Sequence, residues 1–215
     1  MALSLHYLVR EPSIIKDKNP LILLLHGYGS NEQDLFSFAP ELPSDCYVVS
    51  VRAPHSLQYG SYAWYAINFD ADENKFSDHD QAIESRDAIT AFIAELIAAY
   101  PIDATDITLL GFSQGTILSY AVALSNPGMV RRVVALSGYL NEDIISDGYA
   151  ANDFGKLAMF VSHGASDQMI PVEWARKVPG ILSKCGIPVE YKEYPVGHGV
   201  AAQNFHDLKD WLLRT

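Results

Sequence analysis

The chain has 215 residues, 49% of them hydrophobic, and a formal net charge of −11 from 15 Lys plus Arg against 26 Asp plus Glu. That length and apolar fraction suit one sizeable core, and the acidic balance weighs against binding a phosphate backbone, so no nucleic-acid partner is expected. No apolar run approaches the roughly 18 residues of a membrane span, and Cys46 and Cys185 make no disulfide framework, so a soluble protein of the reducing cytoplasm is expected.

Leu3, Leu5, Tyr7 and Val9 recur with period two, which predicts a half-exposed edge strand ended by Glu11-Pro12. The same stretch lacks the charged-then-apolar pattern of a signal peptide. Residues 21–25, Leu-Ile-Leu-Leu-Leu, are a continuous apolar run of strand length, as expected for a strand covered on both faces. They lead into His26-Gly27-Tyr28-Gly29-Ser30. Ser30 with Gln33 has the spacing of a capping box for a helix reaching Phe38.

Residues 46–51 predict another buried strand. Residues 52–78 show no sustained periodicity, and long irregular segments are often functional. Tyr59, Tyr62, Trp64, Tyr65 and Phe69 give this segment an aromatic density suited to a pocket wall, with loop packing or a partner contact as the alternatives. Exposed aromatics there leave both a monomer and a homodimer open. Asp70, Asp72, Asn74 and Asp78 stand at four positions of a calcium loop, but Lys75 and Gln81 occupy its glycine and glutamate positions. A solvated acidic loop is the better reading, and no metal is expected.

A helix over 80–100 follows from Ile83, Ile89, Phe92, Ile93, Leu96 and Ile97 on one stripe, ended by Pro101. Residues 107–110 predict a strand and 116–125 a helix, and between them stands Gly111-Phe112-Ser113-Gln114-Gly115. This G-x-S-x-G in a strand-to-helix context has the form of a nucleophile elbow, whose glycines allow strand and helix to approach closely. Ser113 as an ordinary helix cap is the competing reading. Strands over 133–136, 157–161 and 189–194, with helices over 172–183 and from the 195–199 loop to Leu213, complete the chain. The acids Glu142, Asp143, Asp147 and Asp153 between them read as solvent-facing. Alternation of strands and helices implies an α/β fold, a mostly parallel sheet with helices on both faces, in one domain over 1–215.

Sites in such sheets collect beyond the carboxyl ends of the strands. Ser113, Asp167 and His198 each follow a predicted strand there, in the chain order of an α/β-hydrolase triad. A serine hydroxyl needs a neutral imidazole to take its proton, and the imidazole needs a carboxylate to fix its tautomer. The assigned roles are Ser113 as nucleophile, His198 as base then acid, and Asp167 as orienter. Oxyanion donors are expected from the backbone N–H groups of Gln114 and Tyr28, with side-chain identity there secondary. Tyr59, Tyr62, Trp64, Met169 and Ile170 are the substrate-binding candidates, and His26 and His163 are read as supporting residues that shape turns.

Leu24-Leu25-His26-Gly27-Tyr28-Gly29-Ser30, Arg52-Ala53-Pro54, the elbow, Ser162-His163-Gly164 with Asp167 and Ile170-Pro171, and Gly197-His198 together resemble the phospholipase/carboxylesterase family, over essentially the whole chain. The resemblance implies an esterase that uses no cofactor, with the same triad and oxyanion donors, acting on a small-molecule ester. Gly27-Tyr28-Gly29-Ser30 departs from the Gly-Leu-Gly-Asp of thioesterase members. The leading expectation is therefore hydrolysis of short- to medium-chain carboxylic esters. The alternatives are an acyl-protein thioesterase or lysophospholipase, and a binding module that kept the fold without turnover.

Overall fold

A computed structural model describes residues 3–69 and 75–215. Its elements are β1 (Tyr7–Arg10), β2 (Asn19–Leu25), α1 (Gln33–Phe36), β3 (Tyr47–Val51), β4 (His55–Ser56), β5 (Tyr62–Ala63), β6 (Ile67–Phe69), β7 (Lys75–Ser77), α2 (His79–Ala99), β8 (Ile102–Phe112), α3 (Gln114–Ser125), β9 (Arg132–Leu136), β10 (Ala158–Gly164), α4 (Val172–Ala175), α5 (Val178–Lys184), β11 (Val189–Tyr194) and α6 (Ala202–Arg214). Seven strands form one sheet in the order β1-β3-β2-β8-β9-β10-β11. Only β1 runs antiparallel, against β3; the other neighbours are parallel, with Leu21–Leu25 of β2 set between Tyr47–Val51 and residues 107–111 of β8.

The continuous apolar runs are explained by burial on both faces. Leu21, Leu23, Leu25, Leu109, Val133 and Val161 face a core closed by α2 and α3. Ile22, Leu24, Leu110, Val134, Leu136 and Phe160 face the opposite core, closed by Leu35 of α1 and by Leu208, Trp211 and Leu212 of α6. Period-two alternation thus persists inside these largely apolar runs, whose two faces pack against helices on opposite sides of the sheet. From Gln114 to Leu124 every residue of α3 is buried, the signature of a helix enclosed on all sides.

Three local expectations change. The capping box does not form, because Ser30 Oγ donates to the Asp34 carboxylate at 2.7 Å and Asn31 Oδ1 takes the Gln33 N–H at 2.9 Å, so α1 is a single turn. The helix expected over 172–183 is two, α4 and α5, with Pro179 in the first turn of α5. Residues 52–78 are not irregular throughout, since β4 pairs with β5 and β6 with β7 as small antiparallel ribbons. Asp70, Asp72 and Asn74 of the acidic loop lie outside the described residues, whereas Asp78 caps α2 by accepting the Gln81 N–H at 3.0 Å. Glu142, Asp143, Asp147 and Asp153 are exposed, as expected. Among the described residues no helix is long and apolar enough to cross a membrane, and both cysteines are free.

Candidate active site

The turn from β8 into α3 is as tight as the sequence requires. A Cβ on Gly115 would lie 2.0 Å from the Leu25 carbonyl oxygen, and one on Gly111 would lie 2.5 Å from the Gly115 carbonyl oxygen. Neither clash has a flexible side chain to relieve it. Ser113 sits at φ 53°, ψ −115°, a backbone region that non-glycine residues occupy at a cost of about 1–3 kcal/mol. The strain is held by the Ser113 N–H donating to the Leu136 carbonyl at 2.9 Å and by Thr116 Oγ1, which accepts the Leu136 N–H at 3.0 Å. Ser113 occupies the N-cap position of α3, yet its hydroxyl makes no cap hydrogen bond. That disposes of the helix-cap reading.

The hydroxyl instead lies 3.0 Å from His198 Nε2, and His198 Nδ1 lies 2.7 Å from Asp167 Oδ2. A carboxylate facing Nδ1 places the proton there and leaves the Nε2 lone pair toward Ser113. The His198 ring rests against Phe112, centroids 4.9 Å apart. The Asp167 side chain is fully buried. Burial alone would raise its pKa, but hydrogen bonds from His198 and from the N–H groups of Ile170 and Met169 outweigh it and hold the carboxyl below its ordinary value. His163 Nε2 adds a contact 3.2 Å from Asp167 Oδ2 while lying 2.9 Å from the Ile170 carbonyl oxygen. Both neighbours are acceptors, so Nε2 carries the proton and His163 contacts the same carboxylate oxygen as His198.

His26 is fully buried, with Nε2 accepting the Ala53 N–H at 3.1 Å and Nδ1 2.7 Å from the Gly27 carbonyl oxygen. Burial pushes its pKa down, so it is a neutral strut for the loop bearing Tyr28. That loop is also fixed by a Glu32–Arg52 pair, bidentate at 2.6 and 2.7 Å, with the Glu32 side chain 3% exposed and the Arg52 guanidinium stacked 4.6 Å from the centre of the Tyr62 ring. Among the described residues, no hydrogen bond within the protein uses the N–H of Tyr28 or Gln114. The Gln114 side chain, expected to be secondary, is not: its amide accepts the Trp64 N–H and donates to the Tyr65 carbonyl, both at 2.8 Å, which locks the 64–65 segment to the elbow.

A cavity of about 390 Å³ opens on Ser113 and His198, lined by Tyr28, Met169 and Ile170 as expected and by Tyr65 of the aromatic segment. Ile67, Ile117, Tyr139 and Trp174 complete its apolar wall without having been singled out. Tyr139 had a usable signal, since it follows β9 just beyond the strand's carboxyl end, where the other site residues lie; Trp174 had none, being one apolar residue of a short helix. Three candidates fall away. Tyr59 is fully exposed at the tip of the β4–β5 turn, at φ 60°. The Tyr62 ring is occupied by Arg52, and its backbone pairs with Gly29 and Ser30 at 2.9 and 2.7 Å. Trp64 is fully buried, its indole N–H donating to the His26 carbonyl at 2.9 Å, and it is core beneath the site.

The sequence pattern described as phospholipase/carboxylesterase matches residues 10–215. A probable carboxylesterase of rice, Oryza sativa subsp. japonica, is 26% identical over 89% of this chain and 76% of its own. Acyl-protein thioesterase 1 of Cryptococcus neoformans is 27% identical over 89% of this chain and 90% of its own. The crystal structure of esterase PE8 superposes with a TM-score of 0.82 at 25% identity, covering 100% of this chain and 99% of that one.

Proposed function

Since the chain belongs to the phospholipase/carboxylesterase family, we propose that it hydrolyses short- to medium-chain carboxylic esters through an acyl-enzyme on Ser113. The observation that carries this reading is the unbroken relay from buried Asp167 through His198 to a strained serine with no competing bond. Ser113 Oγ attacks the ester carbonyl as His198 Nε2 takes its proton, and the charge that develops on the carbonyl oxygen meets the free N–H groups of Tyr28 and Gln114. Protonated His198, steadied by Asp167, then returns the proton to the departing alkoxide. A water molecule, deprotonated by the same nitrogen, attacks the acyl-enzyme and releases the acid with Ser113 restored. Only neutral imidazole can accept either proton, so turnover requires the uncharged ring.

The size of the cavity, about 390 Å³ and toward the small end of ligand sites, favours short acyl groups over the long chains of an acyl-protein thioesterase. The sheet running unbroken from β1 to β11 supports one domain, and two free cysteines suit a cytoplasmic setting. The test is hydrolysis of p-nitrophenyl butyrate by purified protein and its Ser113→Ala variant. Loss of about 10³-fold or more in kcat, with the variant still folded, is expected. An alanine variant that keeps most of the activity removes Ser113 from the mechanism; failure of a fluorophosphonate to label the wild type favours a hydrolase fold without turnover.

A further inference from the structure

Trp174 is 45% exposed although it lies in the middle of the cleft, on a helix of only four residues. Its ring meets Tyr139 edge to face, centroids 4.9 Å apart at 75°. On one side of this pair is the cavity over Ser113. On the other is a second cavity of about 460 Å³, and the two share Tyr139, Trp174 and Ser77 in their linings. The second cavity has a small apolar floor, Leu140, Val178 and Ile181, beneath a polar and charged rim of Ser77, His79, Asn141, Glu142, Asp143 and Lys177. The three floor residues are the part of it that suits the end of a hydrocarbon chain, and Tyr139 and Trp174 border both this cavity and the one over Ser113.

Resting on the reading of Ser113 as nucleophile, we infer that the Tyr139–Trp174 pair is the stop that sets the acyl-length limit of this enzyme. Short acyl groups end against the pair. The distal cavity is the room that longer chains would occupy if the stop were withdrawn. Trp174 is the half of the pair that decides, because Tyr139 is half-buried and packed against the core, whereas Trp174 is 45% exposed on a helix of only four residues. The limit is therefore a property of two side chains rather than of the sheet.

The test is a series of p-nitrophenyl esters from acetate to decanoate on the wild type, Trp174→Ala and Trp174→Phe. Each methylene that gains a buried place improves kcat/KM by about fourfold. The decanoate-to-butyrate ratio of kcat/KM is expected to rise at least tenfold in Trp174→Ala and to return toward the wild-type value in Trp174→Phe. Adding Ile181→Trp to Trp174→Ala fills the distal floor and should cancel the gain. A general loosening of the fold would change all lengths alike and would not be reversed by filling a remote cavity. A ratio unchanged in Trp174→Ala, or a wild type that already prefers decanoate, overturns the stop. So does a gain confined to butyrates of longer alcohols, which would put the leaving group against the pair. Inertness of the wild type toward every ester overturns the reading of Ser113 and the stop together, whereas an active enzyme with unchanged ratios overturns the stop alone.

Discussion

Gln114→Met tests whether the elbow is braced by a side chain as well as by its glycines. Methionine fills a similar volume but offers neither hydrogen bond, so the Trp64 N–H and the Tyr65 carbonyl are stranded in a region where these residues are 0% and 2% exposed. Each buried backbone group left unpaired costs about 1–3 kcal/mol, so the pair together cost about 2–6 kcal/mol. For a chain of this size about 2–4 °C of Tm is lost per kcal/mol, which predicts a fall of about 4–24 °C. Thermal unfolding followed by circular dichroism measures it directly. A second effect follows from position. Tyr65 lines the cavity over Ser113, so kcat/KM for short esters should fall as well, while the Gln114 N–H is retained and fluorophosphonate labelling of the folded protein continues. A Met variant that melts within about 1 °C of the wild type would refute the claim that these two bonds matter.

The Glu32–Arg52 pair predicts an asymmetry. Arg52→Met strands a carboxylate whose side chain is 3% exposed and should cost about 3–5 kcal/mol, whereas Glu32→Gln leaves an arginine that is 30% exposed and can be hydrated, at distinctly lower cost; equal urea midpoints for the two variants would contradict this. Acid lability should centre on the far end of the sheet. Arg176 and the Tyr191 hydroxyl hold Glu193 at a pKa of about 2, and Tyr194, Lys192 and Gln203 hold Asp207 at about 2. Both values lie below the unfolded ones of about 4.3 and 3.9. In that window the unfolded chain binds more protons, so the stabilisation is complete above about pH 4.5 and is lost as pH falls toward 2. Urea midpoints measured between these limits should fall less steeply in a Glu193→Gln, Asp207→Asn double variant than in the wild type, and identical slopes would dismiss these two groups.

The positions of Ser113, Asp167 and His198 were legible because each stands in the loop beyond the carboxyl end of a separate strand and carries the right chemistry, and parallel strands bring such ends to one rim. Strand length was less legible: β8 starts at Ile102 rather than near 107, because Asp103, Thr105 and Asp106 hide a strand that extends past the covered part of the sheet. Aromatic density located the wall-forming segment without orienting it. Tyr59, Tyr62, Trp64 and Tyr65 are close neighbours in sequence, yet one is in solvent, one lies under a guanidinium, one is in the core and one lines the cavity. What sets Tyr62, Trp64 and Tyr65 apart is contact with Arg52, Gly29, Ser30, His26 and Gln114, long-range partners that no local pattern encodes. The split between α4 and α5 was foreshadowed by Pro179, which fits the first turn of a helix better than its interior. The missing cap at Ser30 reflects competition, since Asp34 and Asn31 offer equally short-range partners.

His198 is 85 residues along the chain from Ser113 and 31 from Asp167, and it follows β11, the last strand at the sheet's edge. During synthesis Tyr28, Ser113, Gln114 and Asp167 all emerge before His198. On the reading proposed for Ser113, a chain whose β11 is not yet paired has no imidazole in place to draw the serine proton. The contact of Ser113 with His198 needs the loop that follows β11, which is held by the pairing of β11 with β10. With Ser113 as the nucleophile proposed above, return of ester turnover after denaturation reports the closing of that outermost strand.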